Sequence, residues 1–179
     1  MSLEKIAGQL KGIESKIPPV ELWDPPYCGE MGLTIKADGQ WFYQGSIFKR
    51  MALVKLLASV LKKEQDEYFL VTPVEKIKIT VEDVPFVITQ WQENEQGEII
   101  VATQTDDEFV LGDEHQLKLH DDGQVYASVR RNLWGRVHRN VYYQWIDHAE
   151  HINEKEQTSL VLKSGACSFV IGRFDNDQV

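Results

Sequence analysis

The spacing of apolar residues along the chain predicts three helices. In each stripe the apolar side chains recur every three or four residues and therefore share one helix face. The first helix is capped by Ser2 and ends at Pro18. The second runs from Ser46 to about Lys63, and the third from Leu133 to about His148. The stripes consist of Leu3, Ile6, Leu10, Ile13 and Ile17, of Ile47, Met51, Val54, Leu57 and Leu61, and of Leu133, Trp134, Val137, Val141 and Trp145.

Alternation of apolar and polar residues predicts short strands between the helices. Leu33 and Ile35 precede the turn residues Asp38-Gly39, which is the pattern of a β-hairpin. Residues 21–30 are predicted to be a loop, and the strands from 86 to 128 an antiparallel meander. The pattern as a whole indicates an α+β protein. The remaining strands are predicted at 68–71, 75–81, 86–91, 98–103, 108–111, 117–120, 124–128, 159–162 and 166–172.

An internal repeat indicates duplication. Residues 33–42 align without gaps on residues 117–126 and share Leu, Asp, Gly and Gln. After an insertion of five residues, 50–57 match 139–146, so that a hairpin followed by a helix occurs twice. Crevices between packed halves are common ligand sites, and a site between the halves is therefore predicted. The two domains are predicted to be residues 1–83 and 84–179.

Charge and composition exclude several classes of function. The 179 residues carry a net charge of −9, which disfavours extended binding to nucleic acid or anionic lipid. No apolar run is long enough to span a membrane, and the N-terminus lacks the pattern of a signal peptide, so a cytoplasmic location is predicted. Cys28 and Cys167 are too far apart in sequence to indicate a zinc site or a disulfide framework.

An arginine cluster is the main candidate for chemistry. Four of the six arginines lie between residues 130 and 139. On the predicted third helix, Arg136, Arg139 and Tyr143 share one face. Arginine binds phosphate or carboxylate with two hydrogen bonds, and an aromatic ring can stack on a base, so this face could hold a nucleotide-like anion. The alternative is that these arginines pair with Asp and Glu or lie on a solvated face, and the sequence leaves both interpretations open.

Other polar residues carry weaker signals. Glu75 and Lys76 stand side by side at the start of a strand, so their side chains point to opposite faces. Glu75, on the apolar face, needs a partner, for which an arginine from the other half would be suitable, and structural pairing is its expected role. His148 and His151 lack a third metal ligand, and no nucleophile elbow or glycine-rich phosphate loop occurs. The sequence therefore predicts neither an enzyme nor a bound metal or cofactor.

Several short motifs together resemble one protein family. The chain is similar to the bacterial Domain of Unknown Function 1285 family, and the similarity covers nearly everything after the first helix. Gly135 stands where that family is expected to have a small residue. The motifs are Pro18-Pro, Leu22-Trp-Asp-Pro, Cys28-Gly, Asp38-Gly-x-Trp41, Gly45-x-Ile-x-x-Arg50, Leu70-x-Thr-Pro-Val-Glu-Lys76, Val81-Glu-Asp-x-Pro-Phe86 and Arg136-x-x-Arg139.

The resemblance implies a duplicated core, a C-terminal domain superficially like a pleckstrin-homology fold, and a nucleotide-type ligand between the domains with a role in signalling. The function expected is therefore a non-enzymatic ligand-binding sensor. A protein-interaction adaptor that recruits a peptide to a free strand edge is the alternative. The candidate ligand-binding residues are Trp41, Arg50, Glu75, Lys76, Arg136 and Arg139.

Overall fold

The computed structural model describes residues 3–12 and 17–176 and confirms the α+β class. The chain divides into two compact units, residues 1–85 and 86–179. The first unit contains α1 (Leu3–Gln9), a 3-10 helix (Val20–Leu22), β1 (Tyr27–Ile35), β2 (Trp41–Tyr43), β3 (Ser46–Ile47), α2 (Met51–Ser59), β4 (Leu61–Glu64), β5 (Glu67–Val71) and β6 (Lys76–Val81).

The first unit is built on one six-stranded sheet with the order β3-β2-β1-β6-β5-β4. Its strand pairs are antiparallel except β1 and β6, which run parallel and place Thr34 beside Thr80. The fully buried side chains of this unit come from both the sheet and α2, and they include Leu33, Leu57 and Leu70. Burial of each such side chain contributes roughly 1.5–3 kcal/mol.

The second unit contains two sheets and one helix. The six-stranded sheet has the order β10-β11-β12-β7-β8-β9, and its only parallel pair within the described chain is β12 with β7. Trp145 of the helix packs in a core formed by both sheets. The elements are β7 (Phe86–Glu93), β8 (Ile99–Thr103), β9 (Glu108–Val110), β10 (Leu117–Leu119), β11 (Val125–Arg130), β12 (Leu133–Val137), α3 (Arg139–His148), β13 (Glu150–Asn153), β14 (Gln157–Ser164) and β15 (Cys167–Asp175).

The repeated hairpin is present in both units with the same register. Ile35 pairs with Trp41 in the first copy, and Leu119 pairs with Val125 in the second. The turns match as well. The Asp38 side chain accepts a hydrogen bond from the backbone N–H of Gln40, and the Asp122 side chain accepts one from the backbone N–H of Gln124, both at 3.0 Å. Each hairpin continues into a third strand, a helix and three further strands. The predicted duplication of hairpin plus helix is therefore observed.

The first two predicted helices were too long. α1 ends at Gln9, and Gly12 follows with a left-handed φ of 88°, which stops a helix. Ser2 and Ile13 lie outside the described residues. α2 begins only at Met51, because Gln44 and Gly45 adopt φ of 49° and 80° and fold the preceding residues into a hairpin with β2. The predicted C-terminal lysines of this helix lie on β4.

The third helix was predicted to begin too early. Residues Leu133–Val137 form strand β12, with Leu133, Gly135 and Val137 buried and the residues between them partly exposed. The helix begins at Arg139, and its cap is His138, whose Nδ1 accepts a hydrogen bond from the backbone N–H of Asn140 at 3.2 Å. The predicted loop 21–30 was also wrong in part, because β1 already begins at Tyr27. Strand β13 was not predicted.

Candidate functional site

Glu75 is buried and is held by helix α1. Its side chain accepts hydrogen bonds from Lys5 Nζ at 2.8 Å and from Gln9 Nε2 at 3.0 Å. The Thr72 hydroxyl donates to Gln9 Oε1 at 2.8 Å and accepts from the backbone N–H of Glu75 at 3.0 Å. The hydrogen bond from Lys5 lowers the pKa of Glu75, against the effect of burial. Glu75 is thus paired within the protein, as expected, but its charged partner is Lys5 of the same unit and not an arginine.

Lys76 points to the opposite face of the sheet, as predicted. Its ammonium lies 2.9 Å from Glu64 and 5.1 Å from the centre of the Phe69 ring. Lys62 contacts the same carboxylate at 3.1 Å. The pKa of Glu64 is lowered, chiefly by the hydrogen bond from Lys76. Lys76 is thus already neutralised by a carboxylate of its own sheet.

A groove of about 340 Å³ lies on this outer face of the first sheet. The second lysine in it, Lys78, is paired with Glu67 and lies 3.6 Å from Glu30. Every ammonium in the groove therefore has a carboxylate partner, and the groove offers no excess positive charge to an anion. Its lining consists of Tyr27, Glu64, Glu67, Phe69, Lys76 and Lys78.

Trp41 belongs to the core of the first unit. The residue is 3% exposed, and its indole N–H has no acceptor among the described residues. Trp41 holds the neighbouring strand through its backbone, because its carbonyl accepts the Phe48 N–H at 2.7 Å. The structure thus places this candidate beneath the surface.

The arginine cluster is divided among different elements. Arg130 is partly buried, forms an ion pair with Asp107 and lies 4.7 Å from the centre of the Phe86 ring. Burial is the main reason why the pKa of Arg130 is lowered. Arg136 lies on β12 and is paired across the sheet with Tyr126. The predicted helix face shared by Arg136 and Arg139 was therefore wrong.

Arg139 retains part of the predicted arrangement. It is the first residue of α3 and is exposed. Tyr143, four residues later, is 59% exposed, so the two side chains lie one helical turn apart on the same face. The equivalent residue in the first repeat is Arg50, which is exposed and directly precedes α2. Each repeat thus has an exposed arginine where its helix begins.

Arg50 lies within a surface that sequence reasoning did not identify as a unit. Lys49 and Arg50 are exposed and have no ion-pair partner in the described ranges. Ile47 before them and Met51 after them are 44% and 47% exposed. We call these four residues the β3–α2 surface. It combines two unpaired cations with two exposed apolar side chains.

A charge asymmetry in the sequence marks this surface. Residues 39–63 contain five Lys or Arg residues and no Asp or Glu, in a chain of net charge −9. The 85 residues of the first unit carry eleven basic and twelve acidic residues, whereas the second unit carries eight and sixteen. The signal that could have identified the surface was the absence of carboxylates, which a search for catalytic motifs does not register.

Two kinds of structural feature are absent from the described part of the chain. No three His, Cys, Asp or Glu side chains there lie close enough together to hold a metal ion. None of the helices in residues 3–12 and 17–176 has the length and apolarity needed to cross a membrane.

Comparison with known proteins confirms the resemblance inferred from the motifs. The model of the DUF1285 N-terminal domain, a domain of unknown function, matches residues 18–84, and that of the DUF1285 C-terminal domain matches residues 85–171. A DUF1285 family protein from Silicibacter pomeroyi DSS-3 is 33% identical, with a TM-score of 0.79 over 93% of each chain. Another, from Shewanella baltica OS155, is 34% identical, with a TM-score of 0.56 over 67% of this chain and 94% of its own. No curated protein matches the chain.

Proposed function

Since the chain belongs to the DUF1285 family, whose description names no activity, we propose from the geometry of its first unit that it is a non-enzymatic binding protein. Its β3–α2 surface holds an anionic group of the ligand or partner. A cytoplasmic location and a role in signalling stay predictions.

The exposure of Lys49 and Arg50 without ion-pair partners carries this proposal. In an acidic chain, an exposed cation normally has carboxylates near it, and here the 25 residues from 39 to 63 contain none. A guanidinium and an ammonium side by side can bind one phosphate or carboxylate group through charge-assisted hydrogen bonds. The anion does not have to displace a carboxylate of the protein, as it would have to at Lys76.

A nucleotide-like ligand is one candidate for this anionic group. Its phosphates fit the two cations, and the exposed Met51 side chain offers apolar contact to a base or sugar. Placement of such a ligand between the two domains, with Arg136 and Arg139 as further contacts, stays a prediction.

A binding screen tests the proposal. Purified protein is heated in the presence of nucleotides, cyclic dinucleotides, sugar phosphates and dicarboxylates, because a ligand of the native state raises the melting temperature. For a compound that does so, Arg50→Ala is expected to weaken binding about tenfold, since loss of one charge-assisted hydrogen bond costs roughly 1.5 kcal/mol. Isothermal titration measures the dissociation constants of both proteins.

Arg173→Ala is the matched control, because Arg173 is exposed on β15 and its removal changes the net charge equally. If only local charge matters, the affinity of the Arg173→Ala variant for the compound should stay within a factor of about two of that of the wild type. Equal weakening by both substitutions would assign the effect to net charge and overturn the β3–α2 surface as the site.

A protein-interaction adaptor is the second candidate function. The observation that favours it is the position of β3 at the edge of the first sheet. An edge strand can pair with an extended segment of another protein. In this case the anionic group is a carboxylate of the partner.

A further inference from the structure

We propose that the β3–α2 surface binds an acidic, apolar peptide segment of a partner protein, which pairs with β3 as a seventh strand of the first sheet. This inference rests on the proposed function, because it uses the same unpaired cations. It adds the composition of the partner segment and the backbone groups of β3 with which that segment pairs.

The hydrogen-bond pattern of the β2–β3 hairpin leaves one residue of β3 available for pairing. Ser46 pairs with Tyr43 across the two-residue turn, and the Phe48 N–H donates to the Trp41 carbonyl at 2.7 Å. In an antiparallel pair, alternate residues direct their backbone groups toward the neighbouring strand. The N–H and C=O of Ile47 therefore point away from β2, toward the open edge of the sheet.

Side chains beside this edge define what can bind there. Ile47 exposes an apolar side chain at the edge itself, and Met51 exposes another at the start of α2. Lys49 and Arg50 lie between them in the chain and supply two positive charges. A partner strand that carries both carboxylates and apolar side chains complements these contacts, and the segment 39–63 has no carboxylate that would repel it.

The distribution of charge favours a short peptide over an extended anionic surface. The second unit has sixteen acidic and eight basic residues, and a membrane or a nucleic-acid duplex would be repelled by that excess. A peptide strand contacts only the edge and the residues beside it. Because β3 has just two residues, Ser46–Ile47, charge contributes much of the affinity, and binding should weaken with salt.

The first experiment uses a fluorescein-labelled ten-residue peptide in which glutamate alternates with valine, and measures its binding to the full chain by fluorescence anisotropy. A peptide with lysine in place of glutamate should bind at least tenfold more weakly, because its charge is opposed by Lys49 and Arg50. Equal binding of the two peptides would overturn the acidic specificity.

A second probe separates strand pairing from charge. The same glutamate peptide, N-methylated at every residue, keeps its charge but has no backbone N–H that could donate to a sheet edge. Strand addition predicts about fivefold weaker binding for the methylated peptide, since the one hydrogen bond lost to the Ile47 carbonyl contributes roughly 1 kcal/mol. Binding that is unchanged by methylation would overturn strand addition and leave the anion-binding function standing.

A charge-reversal variant tests the peptide site and the proposed anion-binding function together. The double substitution Lys49→Glu with Arg50→Glu should abolish binding of both peptides that carry glutamate, while Arg173→Glu should not. Retention of affinity in the double variant would overturn the peptide site together with the proposed function. In the wild-type complex, hydrogen exchange of the Ile47 amide should slow, and an unchanged exchange rate would also contradict pairing at β3.

Discussion

The ammonium of Lys5 lies 2.8 Å from the carboxylate of Glu75, and this ion pair joins helix α1 to the turn that precedes β6. Glu75 is 8% exposed, so its carboxylate depends on protein partners for its hydrogen bonds. Thr72 and Glu75 of the Thr-Pro-Val-Glu-Lys motif therefore attach helix α1 to the sheet.

Replacement of Glu75 by Ala should destabilise the protein. The substitution removes the acceptor of two hydrogen bonds and leaves the Gln9 amide without one of its partners, which costs roughly 1–3 kcal/mol. Urea denaturation measures the change in the free energy of unfolding. Glu95→Ala, at an exposed position, is the control and should change it by less than about 0.5 kcal/mol. Equal effects of the two substitutions would show that the ion pair does not hold α1.

The effect of Glu75→Ala should depend on pH. Lys5 lowers the pKa of Glu75 below the ordinary value of 4.5, so the carboxylate stabilises the folded state at pH values above the ordinary one. This contribution is lost as the pH falls through the lowered pKa of the folded state. The free-energy difference between wild type and variant should therefore stay constant near neutral pH and shrink on acidification below 4.5. A difference that grows on acidification would contradict this assignment.

Arg130→Met should be more damaging than Glu75→Ala. The arginine side chain is 10% exposed, and its removal leaves the Asp107 carboxylate largely buried without its cation. Breaking a buried ion pair on one side costs about 3–5 kcal/mol. The double variant Asp107→Asn with Arg130→Met should recover part of this loss, and a double-mutant cycle from urea denaturation measures the coupling. Additive losses would mean that the two side chains act independently.

Gly135→Ala should destabilise the second unit because of crowding. A Cβ at Gly135 would lie 3.1 Å from Val129 Cγ2, 3.2 Å from Phe86 Cβ and 3.3 Å from the Ile88 side chain. Overpacking of this kind costs roughly 1–3 kcal/mol.

Gly8→Ala is the matched control for the effect of an added methyl group. Apart from the backbone of α1 and the adjacent residues, no atom of the described residues lies within 4 Å of its Cβ position, and Gly8 is inside α1. This substitution should stabilise the protein by roughly 0.5–1 kcal/mol, because alanine favours helix. Thermal unfolding of both variants measures the two shifts, and a loss of stability on Gly8→Ala, or none on Gly135→Ala, would contradict the steric argument.

Local turn chemistry made the hairpins predictable. Asp-Gly fixes the turn geometry within a few residues, and the alternation of Leu33 and Ile35 then sets the register. The joint between β12 and α3 was not predictable in the same way. Val137 is the last apolar residue of the strand, and it also has the helical spacing to Val141 and Trp145. The two-residue period of the strand therefore passes into the period of the helix without a change in the sequence that marks the boundary.

The partners of the candidate site residues depend on contacts that are distant in sequence. Glu75 and Lys5 are 70 residues apart, and no local pattern indicates which ammonium reaches a buried carboxylate. The sequence correctly predicted that Glu75 and Lys76 point to opposite faces, because that follows from strand geometry alone. It also named Arg50, through a family motif and through the repeat match to Arg139, but it did not identify Ile47, Lys49, Arg50 and Met51 as one exposed surface.

Each six-stranded sheet has a parallel pair of strands at its centre, and this pair determines when the sheet can be completed during folding. In the first unit, β1 pairs in parallel with β6, and Ile35 lies opposite Val81. During synthesis this pairing can form only after Val81 has left the ribosome. The second unit repeats this arrangement with β7 and β12. Pairing between strands so far apart in sequence is slow, because the intervening chain must first be ordered. Each unit therefore spends its synthesis as an incomplete sheet with unpaired edges, and a nascent chain stalled inside either unit should be a preferred substrate for chaperones.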